Sequence, residues 1–368
     1  MKPPGPVDWE VTAVSANKEN PAPDAGGSAC REISGPAVLA ARPLVSVKMR
    51  AYNHESYIAR AIEGVLMQKT DFPIELVIGE DCSTDRTREI VLRYQQDHPD
   101  VIRTILWDQN VGARRNSRKL DELLRGKYTA FNDGDDYWTY PKKLQMQVDI
   151  MEANPDVGLV HVGIQRFEVV SGELHPWKPK PSDYDEGDIL DKYLRGAYHI
   201  SVPAACVRTV LYRAALRDNP EVFDGRFLMS DVQMWLELSR ITKFRFINEP
   251  LATYNVLPES VSNSRDIQKE IRFWKSALEM CLHYVSKYSV DKTTELCLRS
   301  SYANRFQAYL RRARGRKSAD SAWEALKSTG TDIGLKERVL YWGARSAFVR
   351  LPIETLKRAK SVLRRRRA

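Results

Sequence analysis

The sequence predicts an α/β fold, a doubly wound and mostly parallel sheet followed by a helical C-terminal extension. Three observations predict it. Between residues 44 and 162, short β-forming runs alternate with segments of helical period, the pattern of parallel strands joined by crossover helices. Two acidic clusters, Glu80-Asp81 and Asp133-Gly134-Asp135-Asp136, stand where two of those strands end. Beyond residue 265 the apolar pattern is purely helical.

Residues 1–42 are rich in Pro, Gly and Ala without apolar periodicity and read as a disordered leader. Leu44-Val45-Ser46-Val47 is the first β run, followed by the polar loop Tyr52-Asn53-His54-Glu55-Ser56. Ile58, Ala61, Ile62, Val65 and Leu66 then fall on one helix face. A second strand, Ile74 to Ile78, runs into Glu80-Asp81; Ser83 or Thr84 can cap the next helix, whose apolar side holds Ile90, Val91 and Tyr94. Val101 to Leu106 is a strand, Leu120, Leu123 and Leu124 mark a helix, and Tyr128 to Phe131 is a strand ending at the second acidic cluster. Pro141 suits the first turn of a helix carrying Leu144, Val148 and Met151, and Val157 to Val162 forms a fifth strand. The pattern then turns mixed and loop-rich before Ile271, Trp274, Leu278 and Leu282 open a helical stripe. These shifts divide the chain into a leader (1–42), an α/β domain (43–265, with halves 43–165 and 166–265) and a helical, basic extension (266–368).

Composition narrows the function. With 43% hydrophobic and 29% charged residues among 368, the chain can bury a sizeable core, which excludes wholesale disorder and fibrous architectures. No window approaches the roughly 18 apolar residues of a membrane helix, and the N-terminus lacks a secretory apolar stretch. A soluble cytoplasmic protein is expected. Five scattered cysteines without a Cys-x-x-Cys suggest neither a disulfide framework nor a zinc site. The net charge of +9 invites a nucleic-acid reading until it is divided along the chain. Residues 301–368 hold 18 Lys or Arg against 5 Asp or Glu, whereas the first 300 hold 39 against 43. The body is therefore mildly acidic, and no nucleic-acid partner is expected. Near the end, Leu356, Ala359 and Leu363 lie on one side of a helical pattern opened by Pro352, and Arg364 to Arg367 close the chain. Such a segment suits either an anionic membrane surface or a solvated charged face.

In open α/β sheets, ligands bind beyond the carboxyl ends of the strands, where both acidic clusters are predicted to lie. Ionised carboxylates as close as Asp133, Asp135 and Asp136 repel one another unless a cation, a donor or a shared proton relieves them. Hard divalent ions prefer such oxygens, pairing one or two carboxylates with substrate phosphates; a solvated acidic turn is the alternative. Asp81 can accept a hydrogen bond from a base N–H, or, with Asp85, merely favour the N-terminus of the following helix.

Read together, Val45-Ser46-Val47 with Tyr52-Asn53-His54, Glu80-Asp81-Cys82-Ser83-Thr84-Asp85-Arg86-Thr87, and Asn110-x-Gly112 with Asn116 form an ordered series. Asp133-Gly134-Asp135-Asp136-Tyr137-Trp138 with Pro141, Lys143, Leu144 and Gln147 completes it. The series resembles family 2 glycosyltransferases, which have the GT-A fold, over about residues 43–260. The resemblance implies inverting transfer of a sugar from a nucleotide-sugar donor to the hydroxyl of a saccharide or lipid-linked acceptor, in surface polysaccharide or glycolipid assembly. It implies that Asp81 contacts the base, that the Ala51-Tyr52 turn lines its pocket, and that Asn53, Glu80, Gly112, Asn116 and Gly134 belong to the donor site. Asp133 and Asp135 would bind Mn²⁺ or Mg²⁺, Asp135 directly. Asp231 matches the family's general base and could equally cap the helix beginning at Val232. Asp136, Trp138 and His199 fall on the acceptor side, although Trp138 could be core and His199 a loop residue. His161 reads as a satisfied core residue.

Three departures stand out. Lys48, Met49 and Arg50 replace the usual apolar and small residues at the end of the first strand. No histidine follows Ala252-Thr253-Tyr254, where many relatives carry a metal ligand. Gln268 to Trp274 only approximates the motif of processive synthases, being one residue too long, so a non-processive hexosyltransferase is expected. The alternative is a non-catalytic nucleotide-sugar binder or scaffold on the same fold. Either would work in the cytoplasm, with the basic C-terminus able to rest on the inner face of the cytoplasmic membrane.

Overall fold

The structure, a computed structural model, describes residues 28–176, 189–196, 198–260, 263–264 and 266–345. In chain order it opens with β1 (Cys30–Ser34), α1 (Pro36–Ala40), β2 (Val45–Ala51), α2 (Ile58–Leu66), β3 (Ile74–Glu80) and α3 (Thr87–Asp97). There follow β4 (Ile102–Trp107), α4 (Ala113–Leu123), β5 (Tyr128–Phe131), β6 (Tyr137–Trp138), α5 (Lys143–Ala153), β7 (Val157–Glu168) and β8 (Glu173–His175). The second half contains α6 (Ile189–Leu194), β9 (Ala205–Arg208), α7 (Thr209–Asp218), α8 (Ser230–Leu238) and β10 (Lys243–Val256). A two-stranded ribbon, β11 (Glu259–Ser260) with β12 (Asn263–Ser264), leads to α9 (Ile267–Lys287), α10 (Lys292–Arg312), α11 (Arg316–Ser328) and α12 (Leu335–Arg345).

The main sheet runs β1-β4-β3-β2-β5-β9-β7-β10-β6, with β8 paired to β7. Strands β4, β3, β2 and β5 are parallel, as are β7 and β10. Strand β9 lies antiparallel between β5 and β7 and joins the two parallel sets. The central strands are buried on both faces, yet β2 alternates Val45, Val47 and Met49 with Ser46, Lys48 and Arg50, so its polar side chains need partners within the fold. On one face Ile58, Ile62 and Val65 of α2 and Leu144, Val148 and Met151 of α5 pack against Val47, Met49, Leu76 and Ile78. On the other, Leu120 of α4, Tyr212 of α7, and Met234 and Trp235 of α8 cover Val77, Ile105 and Phe131. The stripe opened by Ile271 and Leu278 packs with Phe306, Leu310 and Leu326 in a helical layer. That layer is seated on α8, because Met280, Cys281 and Tyr284 of α9 bury Val232 and Leu236.

Several expectations are corrected. Of the predicted leader, residues 1–27 lie outside the described residues, but 28–42 are not disordered. Cys30–Ser34 pairs antiparallel with β4, and Arg125 reaches the carbonyls of Val38 and Leu39. An exposed edge strand recruited this segment through backbone pairing, which a composition argument does not detect. Ser83 and Thr84 do not cap α3. They bind the β2 loop instead, with Asn53 N donating to Ser83 Oγ at 3.0 Å and Thr84 N to Asn53 Oδ1 at 2.9 Å, while Asp85 accepts from Thr87 N at 2.9 Å. Pro141 precedes α5 rather than entering it, and its carbonyl accepts from Lys69 N at 2.7 Å. The fifth predicted strand runs on to Glu168 because β10 pairs along its length. His161 is a buried core residue, its Nε2 2.6 Å from the Tyr198 hydroxyl.

Lys143 carries a stability consequence. It is fully buried, with Nζ 2.9 Å from Gln147 Oε1 and 4.1 Å from the Trp138 ring centre. Burial lowers its pKa from 10.5 to about 7. Between those values the unfolded chain binds a proton that the native state does not, so this group makes stability rise with pH from about 7 to 10.5. Its destabilising contribution is complete below about 7. Lys143→Met is expected to flatten the rise in urea-unfolding free energy between pH 7 and 10; an unchanged slope would refute the assignment.

Candidate functional site

The parallel strands β3, β2 and β5 end at one edge of the sheet, bringing Glu80-Asp81, Arg50-Ala51 and Asn132 to Asp136 together. Asp81 and Asp135 therefore open on the same edge. A cleft there is lined by Lys48, Arg50 and Asp133 from the strand ends and by Ser230, Asp231, Met234 and Trp235 from α8.

The Asp-Gly-Asp-Asp turn is held by its neighbours. Gly134 N donates to the Arg50 carbonyl at 2.9 Å, and a Cβ on Gly134 would lie 2.8 Å from Ile58 Cδ1 and 3.0 Å from the Arg50 carbonyl oxygen, so a side chain there would crowd the turn. Arg50 grips Asp133 with two bonds, Nε to Oδ1 at 2.9 Å and Nη2 to Oδ2. Burial opposes ionisation of Asp133, but the guanidinium prevails and holds the carboxyl below its ordinary pKa. Arg50 is in turn raised, chiefly by Asp133. Asp135 lies 4.0 Å from His54 Nε2, and burial raises its pKa. Asp136, only 3% exposed, accepts from Asn255 N at 2.9 Å; burial and the charge on Asp135 push its pKa well up. The Asn255 side chain also donates to the Asp135 carbonyl. Asn255 thus braces the acidic turn through both its backbone N–H and its side chain.

Among the described residues no three His, Cys, Asp or Glu side chains converge as a ready metal cage. The donor set fits a hard divalent ion that arrives with phosphate oxygens and keeps its waters. Asp135 suits that role; Asp133 has both oxygens engaged by Arg50.

Asp231 sits in the first turn of α8, whose N-cap is Met229, so it is not the cap of this helix. Burial raises its pKa against the opposing charges of His199 and Arg50. His199 is exposed, with Nε2 3.3 Å from Ser201 Oγ. The C-terminal layer fixes α8: Lys287 binds Glu237 at 2.6 Å, and Leu228 N donates to Ser276 Oγ at 3.0 Å.

Other expected site residues have structural partners. Asp81 is 2% exposed and accepts from Val111 N at 2.7 Å and Gly112 N at 2.9 Å, shaping the 110–112 loop. Burial raises its pKa despite those two donors. Gly112 has φ 83°, a conformation suited to glycine, just before α4. Asn116 bridges Trp107 Nε1 and the Gly79 carbonyl. Glu80 accepts from Ser83 N at 2.6 Å and pairs with Arg88. Ala51 is buried and accepts from Asp81 N at 3.0 Å, whereas Tyr52 is exposed beside Asn53, which holds the β3 loop. Of the two readings of Trp138, the structure takes the core rather than the acceptor side: it is 2% exposed, and its Nε1 donates to the Pro203 carbonyl at 2.9 Å. Asp136, bound to Asn255 beneath the turn, is likewise turned inward.

The sequence reading missed the wall behind Asp133. Lys48 is buried and donates to Ser117 Oγ at 2.7 Å, Tyr212 OH at 3.1 Å and Asp121 Oδ1. Burial lowers its pKa despite Asp121. A lysine amid Val47 and Met49 in a strand was the available signal, since a buried charge requires a partner.

A family profile described as Glycosyl transferase family 2 matches residues 46–213. An uncharacterized protein of Mycobacterium tuberculosis (strain ATCC 25618 / H37Rv) is 39% identical over 112 residues, 30% of this chain and 32% of its own length, so the match spans about a third of that relative. A Bacillus subtilis (strain 168) protein named as a glycosyltransferase, EpsE, is 30% identical over 221 residues, covering 58% of this chain and 70% of its own. Among solved structures, Pyrobaculum calidifontis mannosyltransferase PcManGT with GDP-Man and Mn²⁺ aligns at a TM-score of 0.49 and 16% identity, over 83% of this chain and 80% of that one. S. aureus TarS 1–349 with UDP-GlcNAc aligns at 0.48 and 15%, over 81% and 90%.

Proposed function

This chain belongs to glycosyltransferase family 2, and we propose that it is a divalent-metal-dependent, inverting, non-processive transferase of sugar from a nucleotide-sugar donor to an acceptor hydroxyl. The observation that carries this reading is one cleft flanked by the Asp133–Asp135 turn and by Asp231 on α8. The donor's diphosphate would lie at the strand ends and its sugar between the turn and α8. Asp231 takes the proton from the acceptor hydroxyl as its oxygen attacks the anomeric carbon, opposite the departing nucleoside diphosphate. Its raised pKa strengthens it as a base. Asp135 would hold Mn²⁺ or Mg²⁺, which when bound neutralises charge on the leaving diphosphate. Arg50, Asn255 and Gly134 fix the turn that presents Asp135.

The acceptor is assigned to the saccharide or lipid-linked class used in surface polysaccharide or glycolipid assembly, reached from the cytoplasm. No described helix is long and apolar enough to cross a membrane. The basic segment 350–368 lies outside the described residues; its charge supports peripheral contact with anionic lipid at the inner membrane face. Deleting it should reduce sedimentation with anionic vesicles, and unchanged sedimentation would end that assignment.

The test of function is thermal unfolding with UDP, GDP and dTDP and their sugar conjugates, with and without Mn²⁺, followed by turnover assays. A ligand that binds only the native state raises its stability as ln(1 + [L]/Kd). Metal-dependent stabilisation together with donor turnover is expected. Binding without hydrolysis or transfer across a broad acceptor panel would replace the enzyme with a nucleotide-sugar-binding scaffold.

A further inference from the structure

Arg50 and Asp133 form a two-bond charge pair at the cleft, and the geometry makes that pair an obstacle as well as a support. The guanidinium spans both carboxylate oxygens, the planar two-bond arrangement that arginine forms equally well with phosphate. Both partners are only partly buried, with side-chain exposures of 29% and 18%. The Arg50 backbone, by contrast, is fixed in β2 and accepts from Gly134 N at 2.9 Å. The side chain can therefore change partners while the acidic turn stays in place. Lys48 cannot take this part, because Asp121, Ser117 and Tyr212 already hold its ammonium within the wall.

Charge balance favours an exchange. Asp133, Asp135 and Asp231 all act on Arg50. Once Asp133 is paired, the remaining carboxylates still draw a cation toward the turn. A dication approaching alone meets Asp133 already occupied and must displace a guanidinium with no other anion to receive it. A dication arriving with a diphosphate brings that anion.

We infer that Arg50 is the donor-diphosphate clamp of this site, and that its exchange from Asp133 to phosphate couples divalent-ion binding to nucleotide binding. The inference rests on the function proposed above and deepens it. Asp133 joins Asp135 on the ion only when the guanidinium has moved to the diphosphate. By linkage, each ligand raises the affinity of the other by the same factor. The first aspartate of the motif is thus latched by the chain's own cation until donor arrives.

The test uses the full chain and reads binding rather than turnover. Free Mn²⁺ is followed by electron paramagnetic resonance during titration of wild type, Arg50→Met and Arg50→Gln, first without nucleotide. Both variants are expected to bind Mn²⁺ at least tenfold more tightly than wild type, because the competing cation is gone. In excess Mn²⁺ they should bind UDP, GDP or dTDP, whichever the wild type binds, at least tenfold more weakly. Asp133→Asn opens the pair from the other side. Without metal it should bind that nucleoside diphosphate more tightly than wild type, since Arg50 is released to meet phosphate. The two Arg50 variants and Asp133→Asn therefore carry opposite signatures, which general misfolding would not produce; circular dichroism melts confirm the folded state. Wild type that binds Mn²⁺ and nucleotide together, with Arg50 variants unchanged in nucleotide-free Mn²⁺ affinity, overturns the clamp and leaves the functional proposal standing. No binding of any of these nucleotides by wild type in Mn²⁺ overturns both.

Discussion

Asp231→Asn is expected to lower sugar transfer about 10³-fold while leaving donor affinity nearly intact, within the range of about 10²–10⁴ for removal of a general base. Asparagine keeps the shape and cannot take a proton at neutral pH. The residue lies in the first turn of α8, beyond the N-cap Met229, and its carboxylate accepts from the backbone N–H of Val232, a bond that the asparagine oxygen can keep. A loss confined to kcat, with nucleotide affinity and melting temperature unchanged, is the signature sought by steady-state kinetics and calorimetry. The pH profile supplies a second reading. Burial raises the Asp231 pKa, and a base must be ionised to work, so kcat/KM in wild type should fall as pH drops through a value above the ordinary carboxylate range. That acid limb should vanish from the residual activity of Asp231→Asn. Wild-type rates in the variant would remove the base from the mechanism.

Asp135→Ala is expected to abolish metal-stimulated transfer. A bound divalent ion supplies several kcal/mol of charge stabilisation, and about 1.4 kcal/mol corresponds to a factor of ten in rate, so the loss should reach at least about 10³-fold. EDTA should do the same to wild type, with Mn²⁺ or Mg²⁺ restoring it, whereas neither ion should rescue the variant. Stability should move the other way or not at all. The Asp133 charge lies beside Asp135, opposing its ionisation, so removing the carboxylate relieves repulsion in the ligand-free protein. Full activity of wild type in chelator, or equal metal stimulation of Asp135→Ala, would strip Asp135 of its assigned role.

Local sequence made some of this legible. The strand ending at Phe131 and the acidic turn after it could be read because alternation and turn chemistry act within a few residues. The same holds for α2, whose apolar residues recur on one face. Asp231 could be singled out only through resemblance, and its placement opposite the acidic turn depends on α8 being seated by α9. The order of residues 28–42 is not legible locally, because it comes from pairing of Cys30–Ser34 with β4, some 70 residues away. The choice of core over acceptor side for Trp138 has a similar cause: the carbonyl that takes its N–H belongs to Pro203.

The order of β runs and helical periods, the acidic strand ends and the basic tail were determined by the sequence alone, because each is a property of neighbouring residues. Tertiary structure decided which carboxylates remain available. Arg50 occupies Asp133, backbone amides of the 110–112 loop occupy Asp81, and Asn255 occupies Asp136. A carboxylate's ionisation and ligand capacity depend on the charges and donors within a few ångströms, and here those come from distant parts of the chain.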